Sequence, residues 1–249
     1  MTVLQALLIL VAGVAAGTIN TVVGSGTLIT FPVLLAVGLP PVTANVTNSV
    51  GLFSGSLVGA YGYRQELAGQ RRRVLMLATA STIGAVIGAV LLLELPAAAF
   101  KAIVPVLIII ALLLVLFGKR LAALLARDRP RRADVTVAAW ILTLLTGVYG
   151  GYFGAAQGML LMGFFGVMVP EPIQRQNALK NVLTGLVNLV AAVVFVFTAH
   201  VDWAAAGLLA AGSISGGLLG AAIGRRLSPA ALRGIIVVVG IAAIVKLLA

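Results

Sequence analysis

Cysteine is absent from the 249-residue sequence, and histidine occurs once, as His200. These absences exclude disulfides, thiolate metal sites and cysteine nucleophiles. A single histidine also argues against a histidine-rich metal centre or a Ser-His-Asp triad. A Walker-type phosphate loop is missing as well. We therefore predict no enzymatic activity, no cofactor and no metal site.

Charge is the next property in short supply. Only 9% of the residues are charged and 61% are hydrophobic, whereas a soluble domain carries about 25% charged residues. The mean hydropathy is +1.18. A folded domain cannot hide this much apolar surface, so part of it is expected to face lipid. The net charge of +11 lies between apolar segments, where it sets topology and offers no face to nucleic acid.

The apolar segments predict eight full transmembrane helices and two short pieces. A hydrocarbon core about 30 Å thick needs roughly 20 apolar residues per helix. Segments of that length lie at about 3–23, 42–62, 74–94, 98–118, 135–154, 174–198, 203–223 and 231–248. The pieces at 27–38 and 158–169 are too short, because 12 residues reach only about 18 Å. We predict an all-α integral membrane protein in which these pieces are broken or re-entrant helices.

Basic residues cluster in three connections. Four arginines lie within 64–73, six basic residues within 119–132, and Arg225 and Arg226 follow the seventh long segment, with Arg233 just beyond. The positive-inside rule places all three connections in the cytoplasm. The stretch 121–132 is the predicted linker between two transmembrane domains, 1–120 and 133–249.

The two halves share a pattern of glycine breaks followed by a short apolar piece. Residues 13–26 and 147–158 are both glycine-rich, and prolines close each short piece, at 40–41 and at 170–172. Matching Gly26 to Gly158 without a gap aligns Asn45 with Asn177 and Ser49 with Asn181. With an odd number of crossings per half the copies are inverted repeats, a plan of many secondary transporters.

The glycine breaks carry the predicted chemistry. Breaks at membrane depth expose backbone groups, which are costly in lipid unless they line a cavity. Residues 24–27 would open the first short helix and residues 156–158 the second. Amides at a helix N-terminus carry about half a positive charge and bind anions. Two such helix starts facing each other predict an anion site near the midplane, although close helix packing is the alternative explanation for the glycines.

Polar side chains surround the first break in a region without charge. Asn45, Asn48 and Ser49 share one helix face by their i, i+3, i+4 spacing. Their hydroxyls and amides can donate hydrogen bonds to an oxyanion, or they can bond neighbouring helices instead. Lys180, which the repeat aligns with Asn48, is a cation at about 9 Å depth and is by default a functional hypothesis. It would pair with an anionic substrate; the alternatives are snorkelling to the cytoplasmic surface and a backbone carbonyl partner.

No pair of carboxylates lies inside a predicted span, because Glu94 is at a helix end and Glu171 and Asp202 lie outside, so the usual Asp/Glu proton relay is absent. Moving one charge through 100 mV is worth about 2.3 kcal/mol, and an anion leaving an inside-negative cell runs downhill by that amount. We hypothesise export without an obligatory second ion, while proton coupling stays open.

Residues 17–27, with Pro32, Pro40 and the run 44–49, resemble the first signature of the sulfite exporter TauE/SafE family, also called DUF81-type permeases. Residues 150–158 resemble that family's second signature, and the resemblance covers about 5–248. It implies a bacterial inner-membrane permease with two related halves that transports small sulfur-containing anions such as sulfite, thiosulfate or organosulfonates. The second half departs from the family pattern at 155–157 and 179–181, which leaves the exact substrate open.

The polar pattern and the resemblance together define the candidate substrate-binding residues: Asn20, Thr21, Gly24, Ser25, Gly26, Thr27, Asn45, Thr47, Asn48, Ser49, Gln157, Gly158, Gln176, Asn177, Lys180 and Asn181. The expected partners are a small sulfur oxyanion and the lipid bilayer, with no nucleic acid, and a homodimer is left open. An alternating-access exporter is the main hypothesis. The alternatives are an anion channel and a non-transporting membrane scaffold, and a scaffold has no need for broken polar helices.

Overall fold

The computed structural model describes residues 1–125, 135–169 and 171–223, and the single positions 238, 241 and 245. Up to residue 223 the described residues form nine α-helices, and a short 3-10 helix at Arg64–Leu67 joins the third to the fourth. The helices are α1 (Val3–Val22), α2 (Thr27–Ala36), α3 (Pro41–Gly62), α4 (Arg71–Glu94), α5 (Ala97–Leu125), α6 (Val137–Tyr152), α7 (Gln157–Met168), α8 (Ile173–Thr198) and α9 (Trp203–Ile223).

All predicted segments before residue 224 are helices, and two bounds need correction. α5 continues to Leu125, so the predicted linker at 121–132 begins inside a helix. α6 has 16 residues instead of the predicted 20 at 135–154, because it starts later and ends at the glycine break. The predicted helix at 231–248 and the basic residues at 225–233 lie outside the described residues, apart from the isolated positions named above.

Several helices have the length and composition of membrane spans. Four of the described helices qualify: α1, α4, α8 and the stretch Trp203–Ala222 of α9. Apolar side chains on their outer faces and on α5 are exposed, among them Leu7, Val11, Ile83, Ile87 and Ile109. Such a band is stable only against lipid, so this chain is a multi-pass membrane protein.

Prolines start the long helices that follow the short ones. Pro40 is the N-cap residue of α3 and Pro172 that of α8, with nearly identical backbone angles. The prediction that prolines end the short helices is therefore wrong for these two. α2 ends before Gly38, whose φ of 102° ends the helix in the left-handed region, and α7 ends at Met168.

Glycines let helices of one half pack on helices of the other. A Cβ on Gly17 of α1 would lie 2.3 Å from the Ser213 carbonyl oxygen of α9. A Cβ on Gly84 of α4 would lie 2.3 Å from the Leu144 carbonyl oxygen of α6. The packing explanation thus holds for these glycines. The interlocking brings the ends of α1 and α6 together inside the protein.

Each short helix turns back toward the side from which the preceding helix came. Near the start of α1, Gln5 Nε2 donates to the Val37 carbonyl just after α2, at 3.4 Å. Val135, just before α6, packs on the buried cluster that contains Val169, just after α7. The end of each short helix thus lies near the start of the long helix before it, and we call α2 and α7 re-entrant in this geometric sense.

Candidate functional site

The two long helices that precede the breaks end in the same way. At the end of α1 the amides of Val23 and Gly24 both donate to the Ile19 carbonyl, at 2.7 and 3.0 Å. At the end of α6 two consecutive amides donate to the Tyr149 carbonyl, at 2.9 and 3.0 Å. Gly24 and Gly154 then adopt positive φ angles of 87° and 76°, a conformation that glycine takes without a Cβ penalty.

This hydrogen bonding makes Gly154 the counterpart of Gly24. The gapless match of Gly26 to Gly158 is therefore wrong at the break, because α7 has 12 residues and α2 has 10. The two extra residues restore the predicted register by the start of α3 and α8. From that point the alignment of Asn45 with Asn177 holds.

The tips of the two re-entrant segments touch. The Gly158 amide donates to the Gly24 carbonyl at 3.0 Å. A Cβ on Gly24 would lie 2.4 Å from the Gly158 Cα, and a Cβ on Gly158 would lie 2.5 Å from the Gly24 Cα. Any side chain at either position would collide with backbone, so this contact requires glycine on both sides.

Hydrogen-bond donors without acceptors collect at these tips. Among the described residues, several backbone amides at the tips have no hydrogen-bond acceptor. They are those of Ser25, Gly26 and Thr27 at the first tip and those of Ala155 and Ala156 at the second. Ser25 Oγ and Gln157 Nε2 are likewise without a partner, although their residues are only 1% and 3% exposed. Buried donors at two helix starts favour a negative ligand.

The fully buried side chain of Lys180 extends from the second break to the helix end before the first break. Its Nζ donates to the carbonyls of Asn20, at 2.9 Å, and Thr21, at 3.1 Å, in the last turn of α1. Its Cδ lies 2.9 Å from where a Cβ of Gly158 would stand. Of the alternatives considered, the carbonyl partner is the one observed, and the ammonium does not snorkel to the surface. A helix C-terminus carries about half a negative charge, so it stabilises this cation.

Asparagines complete a crossed arrangement between the halves. Nδ2 of Asn177 and of Asn181 on α8 donate to the Thr21 carbonyl of α1, at 3.3 and 3.2 Å. Asn45 Nδ2 on α3 donates to the Tyr152 carbonyl of α6, at 2.8 Å. Each half thus holds the helix end that precedes the break of the other half.

Asn48 holds the first short helix in place. Its Nδ2 donates to Thr27 Oγ1 at 3.2 Å, and its Oδ1 accepts from the hydroxyl of Thr30. The side chain that the repeat aligns with Lys180 therefore stays within its own half.

Three predicted site residues are not brought to the breaks. Thr47 Oγ1 accepts from the Asp202 amide at 3.1 Å, just before α9. Gln176 Nε2 donates to the carbonyls of Val169 and Glu171 in the loop before α8. Ser49 Oγ donates back to a carbonyl of its own helix. These side chains bond to loops or to their own helix.

Sequence reasoning missed two polar residues that bond to the site. Ser56 Oγ accepts from Asn20 Nδ2 at 2.9 Å and from Asn188 Nδ2 at 3.2 Å. The signal was present, because Ser56 continues the polar face of Asn45 and Asn188 that of Asn177, both eleven residues on. Extending the polar stripes by three turns would have found both.

An ionic cluster joins the halves at the start of α8. Glu171 accepts from Arg73 Nη1 at 2.9 Å and pairs with Arg175 Nε at 2.6 Å. Arg175 Nη2 also donates to the Ala68 carbonyl at 2.8 Å. Partial burial works to raise the pKa of Glu171, but the hydrogen bond from Arg73 and the charges of both arginines outweigh it and hold that pKa below its usual value.

Comparison with known proteins identifies the family of this chain. The family model described as sulfite exporter TauE/SafE matches residues 9–247. The chain belongs to the TauE/SafE family. It is 32% identical to the probable membrane transporter protein ORF9 of a Sinorhizobium species, over 96% of this chain and 90% of that protein. It is 28% identical to the probable membrane transporter YfcA of Escherichia coli K12, over 94% and 86% of the two chains.

A probable membrane transporter of Haemophilus influenzae is 27% identical, over 84% of this chain and 81% of that protein. These TauE/SafE relatives support membrane transport of a small molecule as the general activity. In the described residues no group of three or more His, Cys, Asp or Glu side chains could hold a metal ion.

Proposed function

We propose that this TauE/SafE protein is a secondary transporter that exports small sulfur-containing anions, such as sulfite, thiosulfate or organosulfonates, across a bacterial inner membrane. The observation that carries the proposal is the meeting of the two re-entrant tips at Gly24 and Gly158, with unpartnered buried donors on both sides. An oxyanion has several acceptor oxygens, which suit backbone amides together with Ser25 Oγ and Gln157 Nε2. The sulfur chemistry rests on the family description.

The proposed mechanism is alternating access between two inverted repeats. The end of α3 lies beside the start of α8, as the contact of Ala68 with Arg175 indicates. The start of α3 lies beside the loop that follows α8, where Thr47 meets Asp202. The corresponding helices α3 and α8 thus run antiparallel, which supports an inverted relation of the two halves. Rocking of one half against the other would expose the tips to each side in turn.

Lys180 supplies the positive charge of the proposed site. Its ammonium is held by carbonyls of α1, so it would act on the anion mainly through its field and by fixing the end of α1. Among the remaining candidate residues, Asn48 holds the start of α2, whereas Asn45, Asn177 and Asn181 hold the ends of α6 and α1 that precede the tips.

The test is uptake of labelled sulfite, thiosulfate and an organosulfonate into proteoliposomes, with and without an imposed voltage. We expect saturable, voltage-sensitive flux of at least one anion, with counterflow, because a carrier exchanges substrate across a single alternating site. Single-channel currents would contradict the carrier and favour a pore. Absence of flux for all three anions would contradict the proposed substrate class.

A further inference from the structure

The two breaks differ in what satisfies the helix end that precedes each of them. In the last turn of α1, the carbonyls of Asn20 and Thr21 accept the ammonium of Lys180. The shared hydrogen-bonding pattern at the breaks makes Gly150 and Gly151 of α6 the counterparts of those two residues. All four carbonyls belong to the last turn of a helix, where the backbone offers no intrahelical donor.

The counterparts of the α1 donors do not reach the end of α6. Asn48, which corresponds to Lys180, bonds to hydroxyls of α2, and Ser49 donates to a carbonyl of its own helix. Only Asn45 bonds to α6, through Nδ2 to the Tyr152 carbonyl. In the described residues no backbone or side-chain donor bonds to either of the two glycine carbonyls.

Asn45 also brings an acceptor to this place. Its residue is 1% exposed, and its Oδ1 has no hydrogen-bond partner. Because Nδ2 is fixed on Tyr152, the oxygen is held at the end of α6. Buried acceptors at the negative end of a helix lack a positive partner. Oxygen ligands of this kind, from helix ends and unwound backbone, coordinate coupling cations in secondary transporters.

We propose that the C-terminal end of α6 binds a dissociable monovalent cation of the sodium type, through the carbonyls of Gly150 and Gly151 and through Asn45 Oδ1. This site at the end of α6 is the counterpart of the place at the end of α1 where the carbonyls hold the ammonium of Lys180. The protein thus places a cation behind each tip: the side-chain ammonium of Lys180 at the end of α1 and an exchangeable ion at the end of α6. This inference requires carbonyl and amide oxygens only, which is why the scarcity of histidine and acidic residues does not oppose it.

The first test uses the wild-type protein without any anionic substrate. Thermal unfolding in lipid–detergent micelles is compared in NaCl, KCl and choline chloride at equal ionic strength. We expect a saturable rise in Tm of about 3–6 °C in NaCl relative to choline chloride. A similar saturable rise in KCl supports the same site with low selectivity. Equal Tm values in all three salts overturn the proposal.

Two variants test the position of the site. Asn48→Lys would carry a tethered ammonium to α6, and Ser49→Asn would supply the amide that Asn181 gives to α1. Each is expected to reduce the sodium-dependent Tm rise at least twofold, and Ser49→Asn covers the case in which loss of the Asn48 bonds prevents folding. Gly163→Ala is the control, because open space surrounds that position, and its sodium response should equal that of the wild type.

An undiminished sodium response in both folded variants would place the cation elsewhere and overturn the assignment. Because this experiment contains no substrate, its failure leaves the proposed anion transport untouched. Conversely, absence of anion flux does not affect the sodium-dependent rise in Tm, because that rise is measured without an anionic substrate.

Discussion

At the first break the end of α1 is held by three side chains of α8, one of them a cation, whereas at the second break the end of α6 is held by one side chain of α3. The backbone geometry before the two breaks is otherwise the same. The two breaks therefore share their turn geometry and differ in the side chains that hold the preceding helix end. The turn at each break has glycine at the position of positive φ, while the buried charge is found at the first break.

The breaks differ also in the room around their glycines. Gly24 faces the backbone of Gly158, whereas the nearest atom to a Cβ on Gly154 would be the Gly150 carbonyl oxygen of the same segment, at 3.0 Å. The first tip is thus buried against the partner tip, and the corresponding glycine of the second break faces its own helix. Substitutions at the two breaks should separate these effects.

The largest expected effect is that of Gly24→Ala compared with Gly154→Ala. Alanine at Gly154 should destabilise the protein by about 1–2 kcal/mol, mainly because a Cβ is unfavourable in the left-handed backbone conformation. Alanine at Gly24 has the same backbone cost, and its Cβ would also collide with the Gly158 Cα at 2.4 Å. We therefore expect a destabilisation above about 3 kcal/mol. Thermal unfolding and the yield of folded protein measure both. Equal losses for the two variants would contradict the contact between the tips.

The next effect concerns the cation that only the first break has. Lys180→Met keeps an unbranched side chain over Gly158 but removes the charge, so the protein should fold. An elementary charge about 5 Å from an anion is worth about 3 kcal/mol at an effective dielectric of 20, and anion flux should fall about a hundredfold. The control is Lys101→Met, at an exposed position of α5, which should transport like the wild type. Undiminished flux in folded Lys180→Met would make this lysine purely structural.

A smaller difference is expected between Asn45→Ala and Asn177→Ala. Among the described residues, Asn45 is the one side-chain donor on the end of α6, so its loss leaves the Tyr152 carbonyl unpaired at a cost of about 1–3 kcal/mol. Loss of Asn177 leaves Lys180 and Asn181 on the Thr21 carbonyl, and the cost should stay below about 1 kcal/mol. Thermal unfolding under identical conditions decides the order. A reversed order would mean that the two helix ends are satisfied in another way.

Much of this arrangement could be predicted from the sequence, because it rests on length and polarity. A 20-residue apolar run such as α1 has one stable form in a bilayer, and a break at Gly24 is hard to place anywhere except against protein. The short length of α2 and α7 predicted that they are broken or re-entrant helices and not full membrane spans. The polar faces of α3 and α8 could be predicted to point inward, because polar groups are costly in contact with lipid.

Other features depended on contacts that no local pattern contains. The gapless match of Gly26 to Gly158 failed because hydrophobic pieces of 10 and 12 residues look alike in sequence. The role of Thr47 depended on the Asp202 loop folding back onto α3. Lys180 could be identified as exceptional from its depth, but its partners, Asn20 and Thr21, lie about 160 residues away along the chain.

The smallest expected effect concerns the loops that follow the short helices. After α7, Glu171 pairs with Arg73 and Arg175, whereas the loop after α2 is joined to α1 only through the long Gln5 contact among its described side-chain bonds. Exposed and half-buried ion pairs contribute below about 1 kcal/mol, so Glu171→Gln should lower stability by less than that, and by less still at high salt.

The pH dependence gives this last prediction its sign. Because the pKa of Glu171 is lowered in the folded state, its contribution is fully present above the unfolded pKa, about 4.3, and is lost as the pH falls through the folded value. The difference in Tm between wild type and Glu171→Gln should therefore be constant from neutral pH down to about pH 5 and shrink below it. A difference that grows on acidification would mean that Glu171 is protonated more readily in the folded protein, and that the second loop is held by packing instead of by its arginines.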